Sequence, residues 1–122
     1  MPFTWAEYLN LAADLAGLHH EQYSEEARYR TAVSRAYYAA FCHARDYAAR
    51  HLGFVPTGKP EDHRKLREYL QNKGGKWISV ARYLNDLRQS RNACDYLQSV
   101  NNVVRQASLA IDQARRVFKA CV

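Results

Sequence analysis

Apolar side chains recur at steps of three and four residues along every long segment of the chain, and no run alternates between apolar and polar residues. The first pattern is typical of amphipathic helices, whereas alternation would indicate strands. Glycines and prolines interrupt the pattern at GFVPTGKP and KGGK, which are predicted to be connections. The sequence therefore predicts an all-α fold, an antiparallel up-and-down bundle of four long helices and a short one in a single domain over 1–122. The predicted helices cover about 4–17, 24–52, 61–72 and 77–95, with a last helix after residue 99.

Three of the predicted helices begin with residues that favour a helix start. Thr4 and Glu7 match a capping box at the first helix. Ser24 precedes two glutamates and is predicted to cap the second helix, and Ser99 is predicted to cap the last one.

The second predicted helix has apolar or aromatic residues on more than one face. One face carries Tyr37 and Phe41, and another carries Tyr38 and Arg45. A helix of this kind is central in a bundle or shared with a partner subunit, and both interpretations stay open. Core packing is predicted for Tyr37 and Phe41. Tyr38 and Arg45 are less settled: Tyr38 is predicted to lie in the core or at a dimer contact, and Arg45 to contact a ligand.

The fourth predicted helix has an arginine in its apolar stripe. The stripe passes through Leu84 and Leu87, and the next step of four falls on Arg91. Asn92 and Asp95 accompany it. Arg91 and Asp95 are four residues apart, so they can form a partly buried ion pair that orients the helix. Alternatively, Arg91 serves a ligand site.

Positive charge is concentrated around this arginine. The 122-residue chain has a net charge of +6, and the segment 59–91 contains nine Lys or Arg against four Asp or Glu, which is +5. A basic segment of this kind suits a polyanion such as RNA, or an acidic partner. A solvated basic face is the alternative.

Other features of the sequence limit the classes of protein. Cys42, Cys94 and Cys121 are too few and too far apart for a disulfide framework or a zinc pattern, so buried free thiols are predicted. No apolar run approaches the ~20 residues of a membrane span, and the first residues do not have the pattern of a secretory signal. A cytoplasmic location, no metal and no cofactor are therefore expected.

The stretches AVSRAYYAAFCHA (32–44) and RQSRNACDY (88–96), in this order of helices, resemble the HEPN domain. The resemblance covers nearly the whole chain. It implies a small helical bundle that commonly forms a homodimer. Together with the apolar faces of the second helix, it predicts a homodimer whose interface includes that helix and brings two copies of the Arg91 motif close together. It also implies a ribonuclease or a relative that has lost catalysis, often a toxin paired with a minimal nucleotidyltransferase antitoxin.

The catalytic signature of that family is an arginine, four to six residues, then a histidine, often with a polar residue after the arginine. Arg91 takes the arginine position and Asn92 the polar position, while the histidine position falls on Asp95 or Tyr96. A phenol is protonated at neutral pH and is a poor base, so this departure puts catalysis in doubt. Guanidinium groups can still bind phosphate. RNA or phosphate contacts are predicted for Arg88, His63, Lys65 and Arg45.

The resemblance, taken together with these residues, implies three possible functions. The first is an RNA-associated toxin–antitoxin protein with weak or lost metal-independent ribonuclease activity. The second is a non-catalytic nucleotide-binding or accessory subunit of a nucleotidyltransferase, and the third is a helical protein-interaction module. His63 and His43 are candidates to replace the missing histidine, although surface or packing roles are commoner for such residues. His19 and His20 are predicted to lie in a loop.

Overall fold

The computed structural model describes residues 3–17 and 24–122. In these residues it has five helices and no strand, which confirms the predicted all-α fold. The helices are α1 (Trp5–Gly17), α2 (Glu25–His51), α3 (Asp62–Lys73), α4 (Lys76–Tyr96) and α5 (Val103–Ala120).

Contacts between helix ends give the direction of each helix. The indole nitrogen of Trp5, at the start of α1, donates to Asp46 near the end of α2 over 2.7 Å. Arg30, near the start of α2, donates to the Cys94 carbonyl at the end of α4 over 3.0 Å. Lys76, at the start of α4, reaches the Ala120 carbonyl at the end of α5 over 3.0 Å. The long helices α1, α2, α4 and α5 therefore alternate in direction, as predicted for an up-and-down bundle.

Helix α2 lies at the centre of the bundle. It packs against α1, α4 and α5, and twelve of its residues are buried. Many of these are alanines, which allow neighbouring helices to approach closely. Three packed neighbours account for the apolar character of several faces of α2, so the central interpretation is the one that the structure supports. Helix α3 packs mainly against α4.

The predicted helix starts are confirmed at two places and wrong at one. The Ala27 amide donates to Ser24 Oγ over 3.1 Å, and the Thr4 amide donates to Glu7 Oε2 over 2.8 Å, as the capping residues predicted. Ser99 does not cap α5. That helix begins at Val103 and is preceded by Asn102, which has the left-handed values φ 52° and ψ 52°. Asparagine tolerates this conformation better than most residues, so Asn102 can occupy the position before α5. The chain is therefore still non-helical at Ser99, and the helix starts four residues later.

The three cysteines are buried free thiols, as predicted. Burial raises the pKa of the Cys42 and Cys94 thiols, and that of the Cys121 thiol to about 11. Within the described ranges, no helix is both long and apolar enough to cross a membrane.

Candidate phosphate-binding cleft

A cleft with a volume of about 540 Å³ opens between α2, α4 and the segment that leads into α3. Aromatic rings form one part of its wall and cationic side chains form another. Lining residues from α2 and α4 include members of both motifs that the sequence singled out. The residues that line the cleft are Tyr37, Tyr38, Phe41, Arg45, Gly58, Lys59, Pro60, Asp62, His63, Arg88, Arg91 and Asn92.

Arg91 is engaged by protein groups on every nitrogen of its guanidinium. Its Nη2 donates to the Tyr38 hydroxyl over 2.7 Å and its Nη1 donates to Asn92 Oδ1 over 3.1 Å. Its Nε lies 2.9 Å from Asp95 Oδ2, an ion pair in which the N–H is not aligned on the oxygen. The side chains of Arg91 and Asp95 are only 20% and 27% exposed, so water screens this pair weakly.

Asp95 and Tyr96, the two candidates for the histidine position, lie in different environments. Asp95 also accepts a hydrogen bond from the Ser34 hydroxyl of α2 over 3.3 Å, so its carboxylate is tied to Arg91 and to α2. Tyr96 is 72% exposed and does not line the cleft. Its ring lies 5.6 Å from the Arg91 guanidinium carbon. The structure therefore brings Arg91, Asn92 and Asp95 together and leaves Tyr96 outside.

Arg88 lines the cleft one helical turn before Arg91. Its Nη2 donates to Asn85 Oδ1 over 3.0 Å, and its Nε is buried without a hydrogen-bond partner. Among the described residues it forms no ion pair within 4.0 Å. Arg88 is therefore a partly buried cation whose charge is not compensated by a neighbouring carboxylate.

His63 lies in the cleft although it comes from α3. Its ring stacks on Phe41, with the ring centroids 3.8 Å apart and the planes inclined by 12°. Its Nδ1 forms a hydrogen bond with the Tyr37 hydroxyl. Burial raises the pKa of the Tyr37 hydroxyl to about 12, so the phenol keeps its proton. The sequence proposed His63 as a ligand contact, and the structure places it beside the motif residues.

The pKa of His63 is lowered, first because the imidazole is buried and then because cations surround it. A lowered pKa keeps the ring neutral at neutral pH. The charged groups that act on it are Arg91, Arg67, Asp62 and Arg45, of which only the Asp62 carboxylate opposes the shift.

The loop before α3 is held against the cleft by a single carboxylate. Asp62, which is buried, accepts hydrogen bonds from the Thr57 amide (2.9 Å), the Thr57 hydroxyl (2.6 Å) and the Gly58 amide (2.8 Å). These bonds lower the pKa of Asp62 and keep it ionised. They fix the wall that carries Lys59, a cleft residue that the sequence analysis missed. An aspartate that follows a Gly-Lys-Pro turn within a few residues was the available signal.

The remaining candidates contribute less to the cleft. Arg45 lines it but is paired with the neighbouring Asp46, with Nη2 and Oδ1 3.0 Å apart. Lys65 does not line the cleft and pairs with Glu61 at 3.3 Å. His43 stacks on Phe118 and bonds to the Cys121 carbonyl, so it has a packing role. His19 and His20 lie outside the described residues.

A comparison with protein families matches the HEPN domain over residues 18–122. The chain belongs to the HEPN family. Curated proteins and solved structures gave no match.

In this HEPN protein, Arg91 stands at the predicted arginine position, and neither candidate for the histidine position, Asp95 or Tyr96, is a histidine. The only imidazole in the wall of the described cleft is that of His63, on a different helix from Arg91. Over residues 3–17 and 24–122, no cluster of His, Cys, Asp or Glu side chains is arranged to hold a metal ion. The cleft therefore presents guanidinium, ammonium, imidazole and phenol groups, a set that suits an oxyanion ligand. The one carboxylate of its described wall, that of Asp62, is bonded to Thr57 and Gly58 of the loop.

Proposed function

We propose that the protein is an RNA-associated HEPN protein whose cleft binds phosphate groups of single-stranded RNA, with weak or lost metal-independent ribonuclease activity. The observation that carries this proposal is the convergence of four cationic side chains on one cleft. They come from α2, from α4 and from the loop before α3: Arg45, Arg88, Arg91 and Lys59. Their neighbours on the wall are mostly aromatic rather than acidic.

The chemistry of the wall favours a nucleic acid over a simple anion. Guanidinium groups recognise phosphate oxygens, while aromatic rings next to them can stack on the bases of a single strand. Tyr38 and His63 supply such rings in the cleft wall. The segment 59–91, with its charge of +5, extends the positive region beyond the cleft.

Weak or absent cleavage follows from the environment of the signature residues. Metal-independent cleavage needs a base for the 2′-hydroxyl and an acid for the leaving 5′-oxygen. Asp95 is paired with Arg91, and Tyr96 lies outside the cleft. His63 is the one imidazole in the wall of the described cleft, and a histidine alone does not supply both groups in the same step.

Binding and cleavage of RNA test this proposal together. A labelled single-stranded RNA of about ten nucleotides, long enough for one binding site, should bind at low salt. Incubation with a metal chelator should yield slow cleavage or none. Rapid cleavage that is lost in His63→Gln would show that His63 supplies the base and that the protein is an active ribonuclease. Failure to bind RNA at low salt would contradict the proposal.

A second function is favoured by the Arg91–Asp95 pair and the missing histidine: a non-catalytic nucleotide-binding or accessory subunit of a nucleotidyltransferase. In that case a mononucleotide should compete with RNA at similar concentration. A chain that binds neither ligand would instead favour the helical interaction module.

Membership of the family supports two further parts of the proposal, a toxin–antitoxin role and a homodimer. Growth arrest on expression, relieved by a nucleotidyltransferase encoded beside this gene, would support the first. Sedimentation at micromolar concentration tests the second. We expect an interface that brings two Arg91 motifs close together, and the exposed Tyr96 and Leu97 beside the motif support that position. Packing by three helices on α2 argues against a large contribution from that helix.

A further inference from the structure

Arg88 and Arg91 lie on the same helix and line the same cleft, but their surroundings differ. Arg91 has a carboxylate, an amide oxygen and a hydroxyl within reach of its three nitrogens. Arg88 has one amide oxygen, from Asn85, and its buried Nε, like that of Arg91, makes no hydrogen bond, but among the described residues no carboxylate lies within 4.0 Å of it. A partly buried donor without an acceptor lowers stability, and an anion that accepts from the same guanidinium offsets that loss.

Two other groups can complete a site around Arg88. Lys59 lies on the cleft wall that Asp62 holds in place, and its ammonium group forms no ion pair with the described residues. His63 bonds to Tyr37 through Nδ1, so Nε2 remains available to a ligand. When Nδ1 accepts the hydrogen bond of the Tyr37 hydroxyl, Nε2 carries the N–H of the neutral ring and can donate a hydrogen bond to a ligand oxygen.

Asp95 already fills the place of an anion beside Arg91. Its carboxylate lies 2.9 Å from Arg91 Nε, and Ser34 holds it there from α2. A phosphate that approached Arg91 would meet this negative charge at short range and with little screening. The same charge is farther from Arg88, which lies one turn towards the start of the helix.

Building on the proposed function, we propose that Arg88, rather than Arg91, is the principal phosphate-binding residue of the cleft, with Lys59 and His63 completing the subsite, and that Asp95 acts as an internal anion that keeps Arg91 from the ligand. The ligand class is a phosphate oxyanion, either a phosphodiester of RNA or a free pyrophosphate. Arg91 is then a positioning residue, which holds Tyr38, Asn92 and the end of α4 in place.

Two probes and five variants test this assignment. The probes are a labelled single-stranded RNA and pyrophosphate, measured by fluorescence anisotropy and calorimetry. The variants are Arg88→Gln, Arg88→Lys, Arg91→Gln, Asp95→Asn and Arg105→Gln. Arg105 is exposed on α5 outside the cleft, so its variant is a control for the loss of one positive charge. Arg88→Lys keeps the charge if the glutamine variant does not fold.

Arg88→Gln should weaken RNA binding about tenfold or more, because a hydrogen bond to a charged group is lost, and Arg105→Gln should weaken it about twofold or less. The loss of RNA binding in Arg88→Lys should be intermediate. An ammonium group keeps the positive charge but cannot make the two parallel hydrogen bonds that a guanidinium can make to a phosphate. Asp95→Asn should strengthen binding about threefold, because Arg91 is no longer neutralised.

The outcomes separate this inference from the proposed function. Binding of pyrophosphate but not RNA, with the same ranking of variants, would support the Arg88 subsite and contradict an RNA ligand. RNA binding that Arg91→Gln weakens more than Arg88→Gln, in variants with unchanged melting temperature, would overturn the inference and leave RNA binding intact. Weaker binding in Asp95→Asn would also overturn it. A chain that binds neither probe would contradict both.

Discussion

Charge compensation sets the role of each arginine at the scale of single residues. Arg91 occupies an apolar position of α4, and its pair with Asp95 makes this burial tolerable. A pair of this kind is weak evidence for stability, because desolvation of both groups opposes their attraction. Removal of one partner, in contrast, is destabilising, since it leaves the charge of the other partner partly buried without compensation.

Arg91→Ala should therefore lower the free energy of unfolding by about 1–3 kcal/mol, the loss expected when buried polar groups remain without partners. The side chain is 20% exposed, so the loss should be smaller than for a fully buried pair. Urea denaturation monitored by circular dichroism measures it. Arg116→Ala is the matched control, because Arg116 and Asp112 are also four residues apart but are 58% exposed. That control should change stability far less, because water and salt screen an exposed pair. Equal losses in the two variants would show that Arg91 has no structural role.

His63 should titrate below the ordinary histidine pKa of about 6.5, because burial and nearby arginines disfavour its charged form. The folded chain then binds fewer protons at this site than the unfolded chain. The contribution of His63 to stability is complete above the unfolded pKa and is lost as pH falls towards the lower folded pKa. An NMR titration of the ring, with His51 as an exposed control, measures the shift. A midpoint for His63 at or above that of a histidine in a short peptide would contradict this environment.

Helix geometry explains which residues of the signature share a face. At about 100° per residue, Asp95 lies about 40° from Arg91 around the helix, whereas Tyr96 lies about 140° away. The sequence therefore contained enough information to separate the two candidates for the histidine position. It did not contain the position of His63, because that depends on how α3 is placed beside α2.

At the scale of elements, arginine side chains donate hydrogen bonds to the carbonyl groups at the carboxyl ends of helices. Arg28 donates to the Leu15 and Ala16 carbonyls of α1 over 3.0 and 3.2 Å. Arg30 donates to the Cys94 and Gln98 carbonyls at the end of α4 over 3.0 and 2.9 Å. A positive group at this end satisfies free carbonyls and interacts favourably with the helix dipole. Arg30 therefore fixes the end of the helix that carries Arg91.

Arg30→Met should lower the free energy of unfolding by about 1–3 kcal/mol, as expected for lost hydrogen bonds from a charged donor. It should also speed amide exchange over 93–96 more than elsewhere in α4, because the closing contacts are local. Arg50→Met, an exposed substitution near the end of α2, is the control and should change stability by about 0.5 kcal/mol or less. Similar exchange in the two variants would show that Arg30 does not hold the end of α4.

Periodicity and caps predicted four of the five helices to within a residue or two. These signals are local, because the spacing of apolar residues within one segment is enough to predict a helix and its buried face. The start of α5 was missed because Ser99 followed by valines has the composition of a capped helix. The left-handed Asn102 and the turn before it depend on how the chain returns from α4, which a local pattern does not report.

At the scale of the whole molecule, the bundle determines which charges meet. Arg45 of α2, Lys59 of the loop and Arg88 of α4 are far apart along the chain and line one cleft. The +5 charge of segment 59–91 predicted a basic region but not its shape. The shape comes from the packing of α2 against α4 and from the three donors of the loop, two amides and a hydroxyl, that bond to the Asp62 carboxylate.

The salt dependence of RNA binding tests the central claim, that this cleft binds RNA through phosphate contacts. Each phosphate neutralised on a single strand contributes about −0.7 to the slope of log K against log salt concentration. We expect two to four contacts and hence a slope of about −1.4 to −2.8, which Arg88→Gln should make less steep by about 0.7 while Arg105→Gln leaves it nearly unchanged. A slope near zero, or one that Arg88→Gln and Arg105→Gln change equally, would contradict the claim.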